Sequence, residues 1–114
     1  MRIQDIARTL NAKVLCCEEK LNQEVEFAFA SDLMSDVLTT QIDNLVLLTG
    51  LANVQAIRTA EMSDVQCVVV VRNKVVSQEM IDLALESGIV LIECKCSMFK
   101  ASGLLYAHGL KPIF

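Results

Sequence analysis

Glycine is scarce in this 114-residue sequence, and where it occurs it is in the wrong places for a nucleotide enzyme. The four glycines, Gly50, Gly88, Gly103 and Gly109, form neither a phosphate-cradling G-x-x-x-x-G-K-[ST] loop nor a G-x-G-x-x-G dinucleotide turn. Nucleotide hydrolysis or dinucleotide binding through those motifs is therefore excluded. Histidine is scarcer still. His108 stands alone, with no serine or cysteine near it in sequence to make a nucleophile pair, and beside Gly109 it reads as a helix C-terminal residue. No apolar run approaches the roughly eighteen residues that a membrane span needs. The opening MRIQDIARTL mixes charged residues into its apolar pattern, unlike a signal peptide, so the expectation is a cytoplasmic protein without a membrane partner. Positive charge is also in deficit: the net charge is −4, which argues against a nucleic-acid partner. The five cysteines lack both disulfide-framework spacing and a C-x-x-C pair, and read as reduced thiols.

What the sequence has in abundance is apolar side chain, 54% of residues, enough for one well-filled domain over residues 1–114 with some left over for an interface. The stretch from Asn44 to Val71 organises the rest. An apolar run NLVLLT is followed by a break at Gly50–Asn53, an amphipathic segment VQAIRTAEMSD, and a second apolar run VQCVVVV. Neither run alternates, as expected of strands covered on both faces, and the whole reads as strand, helix and parallel strand. Asn53 is placed to cap the helix.

The flanking segments extend this pattern. Ile3, Ile6, Ala7 and Leu10 share a helical face; Lys13 to Cys16 is a short strand, and Glu18 to Glu24 a loop. Val25 to Ala30 alternates as a strand with Val25, Phe27 and Phe29 on one side. Ser31 is expected to cap a short helix carrying Leu33, Met34, Val37 and Leu38, which would set Asp32 and Asp36 on one face, a solvated pair. Ser77 and Gly88 bracket a helix with Ile81, Ala84 and Leu85 inward. Ile89 to Ile92 is a further strand. Ser97 opens a last helix through about Tyr106, in which Gly103 implies close backbone packing. Strands alternating with helices predict an α/β domain, a central mostly parallel sheet flanked by helices.

Chemistry-bearing residues are few. Thr49 ends a buried strand, Gly50 permits a tight turn and Asn53 begins a helix, the place where open α/β sheets collect ligands. Ser31 and Asp32 also follow a strand and are expected at the same rim, with Arg72 and Lys74 in the next strand-to-helix loop supplying positive charge. Cys94 and Cys96, two apart at a strand end, would with His108 give three ligands, one short of a closed zinc site. Buried structural thiols without a metal are the simpler expectation, and no cofactor is implied.

Several short motifs taken together, Ala30-Ser31-Asp32-Leu33-Met34-Ser35-Asp36-Val37-Leu38, Leu48-Thr49-Gly50, Ala60 before the Val68–Val71 run, Glu86-Ser87-Gly88-Ile89, and Phe99 with Gly103-Leu104-Leu105-Tyr106 and Gly109-Leu110, resemble the DRTGG domain, and most closely its small stand-alone members. The resemblance covers nearly the whole chain. Where that family has its namesake motif, this sequence reads Thr49-Gly50-Leu51-Ala52-Asn53. The resemblance implies an α/β fold similar to the N-terminal domain of HPr kinase/phosphorylase, without the kinase's P-loop domain. DRTGG domains accompany CBS domains in some pyrophosphatases and also occur in some phosphotransacetylases, as regulatory or dimerising modules.

The expectation is thus a non-catalytic regulatory or scaffold module working as a homodimer, with a regulated enzyme as partner. A sensor of a nucleotide or phosphate metabolite at a strand-to-helix end is the first alternative. A redox or metal-handling accessory protein using Cys94 and Cys96 is the second.

Overall fold

The computed structural model describes residues 1–114. In chain order the elements are α1 (Ile3–Thr9), β1 (Lys13–Cys16), β2 (Phe27–Ala30), α2 (Met34–Val37), β3 (Leu45–Thr49), α3 (Val54–Met62), β4 (Cys67–Val70), α4 (Gln78–Ser87), β5 (Val90–Glu93), α5 (Met98–Ala107) and β6 (Lys111–Pro112), with a 3-10 turn at Glu18–Lys20. The strands form one sheet in the order β1-β5-β4-β3-β2-β6. Every pairing is parallel except β1 with β5, which is antiparallel and slips register between Val14 and Cys16.

The central βαβ unit is β3-α3-β4. Both strands are buried along their whole length, which explains the unbroken apolar runs. The Asn53 side chain accepts the Ala56 amide at 3.3 Å and starts α3 as expected. Right-handed crossovers then dictate which face each helix covers. Steps β2 to β3, β3 to β4 and β4 to β5 all move the same way across the sheet, so α2, α3 and α4 share one face, where α2 packs on α3 and α3 on α4. The step from β5 through α5 to β6 runs back across the sheet, so α5 lies on the opposite face, beside α1.

Four local expectations are corrected. Ser31 does not cap α2: the N-cap is Leu33, and Ser31 Oγ accepts the Leu33 amide at 3.0 Å in a turn ahead of the helix. Asp32 consequently precedes the helix and shares no face with Asp36. On α4 the buried residues are Met80 and Ala84, a register that turns Leu85 outward to 58% exposure and leaves Ile81 half-buried. Gly103 is exposed, and a Cβ there would meet nothing within 4 Å, so no backbone packs against it. Val25 is buried but lies outside β2, which begins at Phe27.

The short edge strand β6 was not foreseen. Its pairing with β2 begins where the Lys111 amide donates to the Glu26 carbonyl at 3.0 Å. Ser77 and Ser97 cap α4 and α5 through the Met80 and Lys100 amides, and Gly88 ends α4 at φ 70°.

Candidate functional site

The carboxyl ends of β2, β3 and β4 bring five of the expected residues together, Ser31, Asp32, Thr49, Gly50 and Arg72. Parallel pairing sets Ala30 beside Leu48 and Thr49 beside Val70, so the turns that follow these strands share one rim. The Ser31 amide extends the ladder to the Leu48 carbonyl at 3.0 Å, and this holds Asp32 over the end of β3. Asp32 Oδ1 accepts the Gly50 amide at 2.6 Å and the Thr49 hydroxyl at 3.1 Å. Thr49 is fully buried, and its Oγ1 also accepts the Leu51 amide at 3.1 Å. Arg72, at φ 72° just beyond β4, reaches back so that Nη1 lies 3.8 Å from Asp32 Oδ2.

Arg72 packs closely over Gly50 in this closure. A Cβ on it would lie 2.9 Å from Arg72 Cδ and 3.4 Å from Asp32 Oδ1. The expectation that free amides after β3 wait for an external anion is altered by this geometry, because Asp32 already supplies a carboxylate to the Gly50 amide. Asn53 is exposed and spends its side-chain oxygen on the Ala56 amide. Lys74 is not part of the cluster: it lines a separate crevice with Lys13 and Lys95.

The remaining groups are placed for packing. Cys67 is enclosed in β4, and burial pushes its thiol up to about 12. Cys94 is buried, with its thiol also raised by burial, and its sulfur accepts the Cys96 amide at 3.3 Å. His108 ends α5 and donates from Nδ1 to the Leu104 carbonyl at 2.8 Å. A helix of ten residues, roughly 15 Å long, separates it from the two cysteines, so the three do not converge on a metal. No group of three or more histidine, cysteine or acidic side chains is placed to hold a metal ion. No helix is long and apolar enough to cross a membrane.

Lys13, Lys95 and Glu93, which no local pattern singles out, converge with Lys74 in that crevice. Their convergence depends on β1 adding antiparallel to β5, which sets Lys13 beside Glu93 across about eighty residues of sequence. Nothing local in the sequence signals that pairing.

No protein-family model and no curated protein matches this sequence. Among solved structures, the chain is similar to the CBS and DRTGG domains of the regulatory region of the Clostridium perfringens pyrophosphatase, solved with its activator diadenosine tetraphosphate. The TM-score is 0.71 at 20% identity, over 91% of this chain. The chain spans 45% of that structure's length. A mostly parallel six-stranded sheet between two helix layers, superposing on that regulatory region, makes this chain DRTGG-like in fold.

Proposed function

We propose that the chain is a non-catalytic, cytoplasmic regulatory module that works as a homodimer joined through α5. One observation carries the reading. Phe99, Gly103 and Tyr106 fall at i, i+4 and i+7, hence on one stripe of α5, and the two aromatics are 89% and 69% exposed. A helix with apolar residues on all sides is stable where both faces are covered, and the sheet covers only the Ala101–Leu105 face. A second copy presenting the same stripe would complete the burial by two-fold symmetry. Support for a regulatory role comes from the similar structure, which is a regulatory region. Light scattering tests the reading: a mass twice the 12.6 kDa of the chain is expected, falling to the monomer in Phe99→Glu with Tyr106→Glu. A monomeric mass for the unaltered protein at high micromolar concentration overturns it.

A second reading is favoured by the Asp32 cluster. A nucleotide or phosphate metabolite sensed at Ser31, Asp32, Thr49, Gly50, Asn53 and Arg72 would displace the Asp32 carboxylate from the Gly50 amide and recruit Arg72. The similar structure holds a nucleotide activator, which supports this class of ligand. In that case Asp32→Asn, which removes the competing charge, strengthens the melting shift caused by ATP. No shift with a panel of nucleotides and sugar phosphates at millimolar concentration eliminates the reading.

A further inference from the structure

The crevice that holds Lys74 stands apart from the Asp32 cluster in both topology and charge. Helices α2, α3 and α4 follow their strands onto one face of the sheet, whereas α5 follows β5 onto the other. The chain therefore leaves the neighbouring strands β4 and β5 in opposite directions, and a crevice opens between their carboxyl ends. In open α/β sheets this switch point is where ligands bind. Here the crevice encloses about 630 Å³, bounded by the turn after β4, the turn after β5 and the start of β1. That volume lies within the range of small-molecule sites.

Its charge runs against that of the chain. Three of the six lysines, Lys13, Lys74 and Lys95, line it, in a protein of net charge −4. None of the three takes part in an ion pair, so each ammonium is free to meet an anion. The one carboxylate in the crevice, Glu93, is half-buried and pairs with none of them. Three like charges held around one hollow repel one another, and a multivalent anion between them removes that repulsion. Lysine suits phosphate groups as a mobile point charge. Val75, 89% exposed on the same wall, offers an apolar surface beside the charges.

We propose that the β4–β5 crevice binds a small anion carrying two or more linked phosphate groups, held by Lys13, Lys74 and Lys95. The site is distinct from the Asp32 cluster and from the α5 stripe, and Lys74→Glu, which touches neither, separates binding here from binding at Asp32.

Calorimetric titration with inorganic tripolyphosphate, ATP and adenosine tests it. Tripolyphosphate and ATP are expected to bind saturably, one per chain, and adenosine not to bind. Tighter binding of ATP than of tripolyphosphate assigns a nucleoside contact to the Val75 wall, and equal binding assigns the phosphates alone. Lys74→Glu and Lys95→Glu, both at exposed positions without side-chain bonds, are each expected to weaken binding about tenfold or more. Glu93→Gln is expected to tighten it. Arg58→Glu makes the same change in net charge on exposed α3 surface and should leave the affinity within about twofold. No saturation by about 10 mM anion, or an equal loss in Arg58→Glu and Lys74→Glu, overturns the proposal.

Discussion

The Asp32 carboxylate caps the end of β3 by accepting the Gly50 amide at 2.6 Å, so an acidic side chain sits where the topology would admit an outside anion. The same oxygen holds the buried Thr49 hydroxyl, and the bond joins the turns after β2 and β3 across eighteen residues of sequence. Removing the carboxylate strips partners from a backbone amide and from a buried hydroxyl. Asp32→Ala is expected to lower stability by about 1–3 kcal/mol, read as a lower urea midpoint with an unchanged slope. A midpoint equal to the unaltered protein's would show that water replaces the carboxylate without loss.

Gly50→Ala should be mild despite its close contact. The added Cβ meets the Arg72 side chain, which is half-exposed and can swing into solvent, and Gly50 does not occupy the left-handed region. The cost is then that of an exposed ion pair, up to about 1 kcal/mol. Since both changes break the same contact, Gly50→Ala combined with Arg72→Ala should cost little more than the larger single change. Additive losses in urea denaturation would place the strain in the backbone instead.

Alkaline pH should weaken the fold through Cys67. In the unfolded chain this thiol ionises near its ordinary value of 9.0, whereas in the folded chain it keeps its proton to about 12. Between those values the unfolded state binds fewer protons, so stability falls as pH rises, by about 1.4 kcal/mol per pH unit for this group. Below pH 9 the term vanishes. Cys17, raised to about 11 chiefly by burial, acts in the same direction. Denaturation midpoints from pH 8 to 10.5 in Cys67→Ala should fall less steeply than in the unaltered protein. Parallel slopes would mean that other groups carry the alkaline loss.

Gly103→Ala is expected to stabilise the folded chain by about 0.5–1 kcal/mol, because an exposed mid-helix glycine with open space around it carries only its entropic cost. A rise of a few degrees in the melting temperature of the monomeric Phe99→Glu, Tyr106→Glu background is the outcome to look for. A fall would show that this position is packed after all.

Much of the fold was readable in the residues because the decisive signals are local and concordant. Asn53, Ser77 and Ser97 each cap the helix they precede, and the unbroken apolar runs at Leu45–Thr49 and Cys67–Val70 are the sheet's two central strands. Ser31 misled because a hydroxyl that can cap a helix can equally bond its own turn, and the difference rests on where Leu33 starts to coil. Gly103 misled for a related reason: a glycine in a helix signals tight packing or nothing, and only the neighbours decide. The Asp32–Gly50 contact was half legible. Both residues are expected at one rim and lie there, but their mutual bond depends on the parallel register of β2 and β3. The lysine crevice was nearly invisible, since its parts lie far apart in sequence and only Lys74 was singled out.

The two margins of the sheet settle how copies of this molecule can meet. At one side the outermost strand is two residues long and includes Pro112, which has no amide to donate. At the other, β1 is irregular between Val14 and Cys16, and the chain leaves it at Cys17 in a left-handed turn. Neither margin is a straight template on which a further strand could be laid, so growth into open-ended ribbons is blocked at both ends. Crowded copies of this chain are left with side-chain-mediated contacts, and a concentrated solution should stay free of cross-strand fibrils for as long as the native state persists.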